Sequence, residues 1–124
     1  MNLPRLTSLY SIVIGVLMVA MWSMFLLTGQ VPELQTEPYR IIMHLAAEFS
    51  TAFVLLIGGY GVLTKKSWGV RFQQFSLGML LYTLIVSPGY YLQLGELAMV
   101  GMFGTMLFLT LMVTAISYLK YDEL

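Results

Sequence analysis

The sequence contains no cysteine, which excludes disulfides, thiolate metal sites, iron–sulfur clusters and cysteine nucleophiles. Charge is scarce too. Only 10% of the residues are Asp, Glu, Lys or Arg, against roughly 25% in an average soluble domain. Six acidic residues balance six basic ones, so the formal net charge is zero, which speaks against nucleic acid as a partner. A single histidine is present. Bis-histidine haem ligation within one chain is therefore excluded, and haem would need His–Met ligation or a symmetric pair of chains. Proline is rare, with four residues, and Pro32, Pro38 and Pro88 serve here as punctuation.

What the chain has instead is apolar residues, 59% of its 124. A soluble domain of that size cannot hide so much apolar surface, so much of it is expected to face lipid. A membrane-crossing helix needs about 20 mostly apolar residues, and the sequence supplies four such runs, at about 8–28, 39–64, 68–86 and 95–119. The first run, from Leu9 to Leu27, is longer than a secretory signal core and is read as a retained helix. Gln30-Val31-Pro32 and Glu37-Pro38 break the first connection, and Thr64-Lys65-Lys66-Ser67 makes a tight second turn with Ser67 as the expected N-cap. Ser87-Pro88-Gly89 is expected to stop the third helix.

Short connections make consecutive helices antiparallel neighbours. The expected fold is an all-α integral membrane four-helix bundle, up-down-up-down, forming one transmembrane domain over 1–124. Arg5, Lys65, Lys66, Arg71 and Lys120 fall on one side and Arg40 alone on the other. This asymmetry predicts cytoplasmic N- and C-termini in a multi-pass protein of the plasma membrane. The terminal Tyr121-Asp122-Glu123-Leu124 resembles a luminal retention tail, but on the cytoplasmic side it is read as coincidence. Tyr10, Tyr39, Trp68, Tyr90, Tyr91, Tyr118 and Tyr121 sit near span ends, as interfacial aromatics do, while Trp22 lies nearer mid-span.

The strongest chemical signal is Arg40-Ile-Ile-Met-His44-Leu-Ala-Ala-Glu48. Residues four apart share a helix face, so Arg40, His44 and Glu48 form one stripe, continued by Thr51. Glu48 lies roughly 13 Å along the helix from Tyr39, deep in the extracytoplasmic half. A charged group there costs roughly 2.5–3.5 kcal/mol on insertion scales, so it should face the bundle interior with a partner. The expected site takes a small ligand or ion, with proton linkage through Glu48. His44 is its partner or a ligand, Arg40 tunes the charge near the surface, and Tyr82, Tyr90 and Glu96 form the walls. His44 and Glu48 could also meet a Zn, Fe or Mn ion, although two ligands need a third from Glu37, Glu96, water or a second subunit. The competing expectation is that His44 and Glu48 are packing residues of a structural or interaction subunit.

Other readings are weaker. Ten methionines suit Cu(I) in principle but serve more simply as flexible apolar filler. A quinone pocket around His44, Glu48 and Tyr82 would suit a redox subunit, as would haem. An enzyme ranks last, because Ser50 and Ser87 lack a base at recognisable spacing; no particular cofactor is indicated. Ala98, Gly101 and Gly104 recur on the last helix, and Gly58, Gly59 and Gly61 cluster on the second. Such small residues permit close helix approach within the chain, in a homo-oligomer or in a larger membrane complex. In size and topology alone the chain resembles the small four-helix bacterial and archaeal membrane proteins, DoxX-like ones among them. No motif carries a function across from them.

Overall fold

The computed structural model describes residues 2–120 and 122; the expectations for Tyr121 and for the ends of the Tyr-Asp-Glu-Leu tail lie outside these residues. Among the described residues there are five helices and no strand, with 87% of the chain helical. They are α1 (Leu3–Leu27), α2 (Glu33–Thr36), α3 (Pro38–Leu63), α4 (Gly69–Gln93) and α5 (Leu97–Leu119). Four of them, all but the short α2, are long and apolar enough to span a membrane.

Several boundaries differ from the expected ones, each for a local reason. The first helix begins at Leu3 rather than Ser8, because the Asn2 side chain accepts the Arg5 N–H at 3.0 Å and Pro4 suits a first turn. The third long helix does not stop before Pro88 but runs through it to Gln93. Proline removes one donor, whereas ending the helix there would unpair several backbone groups. The stop comes at Gly95, in the left-handed region (φ 74°), where the Glu96 N–H reaches back to the Tyr91 carbonyl at 2.9 Å. The last helix therefore starts at Leu97, with Glu96 in the cap position and making no capping bond. Ser67 does not cap α4; that position is held by Trp68. The first connection holds the unexpected single-turn α2.

Packing runs in chain order: α1 lies on α3, α3 on α4 and α4 on α5, while α1 and α5 meet sparsely. Their tie is Tyr10, whose hydroxyl lies 2.6 Å from Thr110 Oγ1. Tyr10 thus points inward rather than serving as an interfacial anchor. The contacts between α1 and α3 run in opposite chain directions: Gly15 faces Ala52 and Leu56, and Gly59 faces Ser8 and Ile12. Gly58 and Gly61 likewise bring α3 against Gln73, Trp68 and Gly69.

The interior is small and partly polar. Thr7, Ser8, Ser11, Gln73, Ser76, Thr110 and Ser117 are buried around a cluster of Ile14, Met18, Ala52, Leu55, Leu77, Leu80 and Leu84. Large apolar groups such as Leu17, Phe53, Ile57, Phe75, Ile85 and Phe108 point outward. A water-soluble fold has the reverse arrangement. Among the described residues the Gly101–Gly104 stripe of α5 makes no close contact, since a Cβ at either position would meet nothing within 4 Å.

Candidate functional site

The local geometry of α3 places His44 and Glu48 one turn apart on the same side. The Glu48 side chain is only 6% exposed and that of His44 is 39% exposed. His44 Nε2 lies 3.7 Å from Glu48 Oε1, within ion-pair reach when the imidazole is protonated but too long for a hydrogen bond. Two further helices close over the carboxylate. Trp22 of α1 and Thr83 of α4 direct their polar atoms toward it. The Trp22 Nε1 is buried and completes no hydrogen bond, so it stands near the carboxylate as an unspent donor. The Trp22 ring also meets the His44 imidazole edge to face, centroids 5.6 Å apart at 72°, and Phe25 at 5.9 Å and 90°.

Above this cluster lies an aromatic and acidic rim. Tyr90 donates its hydroxyl to Glu33 Oε1 at 2.8 Å and meets Tyr91 edge to face at 5.1 Å. Tyr91 is half-buried, stacks on Phe103 of α5 with centroids 5.5 Å apart, and lies within electrostatic range of Glu33, Glu48 and Glu96. The rim thus joins the α2 turn, the end of α4 and the start of α5.

Of the six residues expected at the site, the structure brings His44 and Glu48 together and sets Tyr90 and Glu96 at the rim. It separates the other two. Arg40, whose side chain is 80% exposed, turns back to Glu37 at 3.0 Å instead of lying over His44. Tyr82 is 70% exposed on the outer surface; its neighbour Thr83 takes the inward place, because one residue turns a helix by about 100°. Thr51 is buried on the same face as Glu48 but spends its hydroxyl on the Ala47 carbonyl at 2.8 Å. Trp22, Thr83 and Glu33 escaped the sequence reading. Only Trp22 left a signal there, as a tryptophan too deep to be an interfacial anchor.

For a metal the donors are too few. Among the described residues no group of three or more His, Cys, Asp or Glu could hold one: Glu37 is engaged with Arg40, and Glu96 stands apart at the rim. Chemically, the arrangement can hold a proton on Glu48, exchange it through the partly exposed His44, or bind one small cation or hydrogen-bonding group beside the carboxylate.

The chain belongs to the family described as Domain of unknown function (DUF8058), which it matches over residues 1–124. Neither a curated protein nor a solved structure matches it. Family membership adds no activity, so a functional reading rests on the side chains of the site themselves.

Proposed function

We propose that the protein is a four-span, up-down-up-down plasma-membrane protein with cytoplasmic termini, whose outer half carries a proton-linked site for a small cation or hydrogen-bonding ligand. The excess of Arg and Lys at the two termini and the α3–α4 turn supports that orientation. The observation that carries the site is Glu48 itself. Its carboxylate is buried where α1, α3 and α4 meet, with a histidine 3.7 Å away and, among the described residues, no arginine or lysine paired with it. Holding an ionisable group there is expensive in a bilayer, and groups so placed usually serve transport or binding. In this reading Glu48 takes up the proton and His44 passes it to and from the outer side. Trp22 and Thr83 orient the carboxylate, and the Tyr90–Glu33 pair and Tyr91 frame the mouth.

A second reading has one observation in its favour. Glu48, Trp22 and Thr83 come from three different helices, as a polar staple of the bundle would. Glu48→Gln separates the two, since glutamine keeps the size and one acceptor oxygen facing Trp22 and Thr83 but cannot take up the proton. In a Trp68→Phe, His44→Gln background, Trp22 fluorescence should still change with pH through Glu48 and become flat when Glu48→Gln is added. Glu48→Gln should unfold no more easily than the parent, and proton flux in liposomes should fall. Flux and fluorescence left unchanged by Glu48→Gln, with stability reduced, would leave the staple as the whole explanation.

A further inference from the structure

At the opposite end of the bundle a groove of about 410 Å³ lies between the start of α1 and the end of α3, lined by Asn2, Pro4, Arg5, Val62, Leu63 and Lys65. Among the described residues two cations and no acidic group line it, next to apolar side chains, and Leu63 is left 43% exposed. A second feature singles out the lysine. Three long helices end in the same way, with a left-handed residue after the cap and a backbone N–H reaching back around the last turn. At two of these ends the residue is glycine, Gly29 (φ 70°) and Gly95 (φ 74°), but after α3 it is Lys65 (φ 57°). A side chain is disfavoured in that conformation, and glycine adopts it without penalty. Lys65 is therefore a residue whose backbone position works against it and which lines the same groove as Arg5.

We infer that this groove seats the phosphate headgroup of an anionic phospholipid, with Arg5 and Lys65 pairing the phosphate and Leu63, Val62 and Pro4 receiving the start of the acyl chains. Basic pockets between membrane helices on the cytoplasmic side bind such headgroups. A zwitterionic headgroup brings its own cation against Arg5 and Lys65 and is less suited. A free phosphate has no use for the apolar wall. The inference rests on the bilayer reading of the four long helices but not on the Glu48 site.

The test uses the full chain purified in a neutral detergent. Retained lipid is counted by native mass spectrometry, and the melting temperature is followed on adding phosphatidylglycerol, phosphatidylcholine or glycerol 3-phosphate. Phosphatidylglycerol should stay bound and raise the melting temperature, and the other two should do so far less. Arg5→Gln and Lys65→Gly should each weaken phosphatidylglycerol binding roughly fivefold, the factor for one cation near the surface, whereas Lys65→Arg should keep it. Without lipid, Lys65→Gly should melt above the parent, which separates its charge from its strain. Equal effects of the two phospholipids, a full shift from glycerol 3-phosphate, or undiminished phosphatidylglycerol binding by Lys65→Gly would each overturn the inference. A chain that stays in solution without detergent overturns the bilayer reading and the groove together; one that needs detergent but ignores headgroup charge overturns the groove alone.

Discussion

Gly58 and Gly101 offer the same substitution in opposite surroundings. Gly58 is buried where α3 crosses α4, and a Cβ there would lie 2.8 Å from the Gln73 Cα, 3.0 Å from its N and 3.3 Å from its Cβ. Two of these atoms are backbone, so no rotamer change relieves the clash and the helices must part. Overpacking of this kind costs about 1–3 kcal/mol, and backbone opponents place Gly58→Ala toward the upper end. Alanine recovers about 0.8–1.0 kcal/mol of helix propensity over glycine, leaving a net loss of about 1–2 kcal/mol. At Gly101 a Cβ meets nothing within 4 Å, so Gly101→Ala should be neutral or gain up to about 1 kcal/mol. Reversible unfolding in mixed micelles of rising SDS fraction measures both against the parent. The two variants should differ by about 2–3 kcal/mol, the steric contribution alone. Parting α3 from α4 at Gly58 should also disturb the Glu48 cluster, which lies ten residues or roughly 15 Å along the same helix. Equal stability of the two variants would refute the close α3–α4 approach.

Two further outcomes can be checked by the same unfolding measurement. Gly95→Ala forces a side chain into the left-handed turn that ends α4 and should cost about 1–2 kcal/mol; no loss would mean that the turn does not need glycine. Tyr10→Phe removes the 2.6 Å contact with Thr110 and should cost about 0.5–1.5 kcal/mol; an effect within error would show that α1 and α5 do not depend on this tie.

The number of long helices was legible because twenty-residue apolar runs are a property of contiguous sequence. Their ends were less so. Pro88 reads as a stop in isolation, yet α4 continues past it, because proline removes one donor while a helix end leaves several backbone groups unpaired. Asn2 carries a readable capping signal, but it stands six residues ahead of the apolar run that begins at Ser8. At the site, His44 and Glu48 were legible as a pair because a four-residue spacing on one helix is local geometry. The sequence points to Tyr82 rather than Thr83 because chemical character along a chain does not give the rotation of α4 about its axis.

The sequence by itself determined the all-helical class, the four membrane-length segments, the uneven placement of basic residues and the four-residue spacing of His44 and Glu48 on α3. These follow from composition and from periodicity within a single helix. Only the tertiary structure decided that Trp22 and Thr83 are the neighbours of Glu48, that Arg40 turns away to Glu37, and that Gly58 makes a close crossing while Gly101 faces outward. It also decided that Arg5 and Lys65, sixty residues apart in sequence, line one groove. Each of these depends on how one helix is rotated against another. That rotation is set by side-chain contacts between distant segments, which no window along the chain contains.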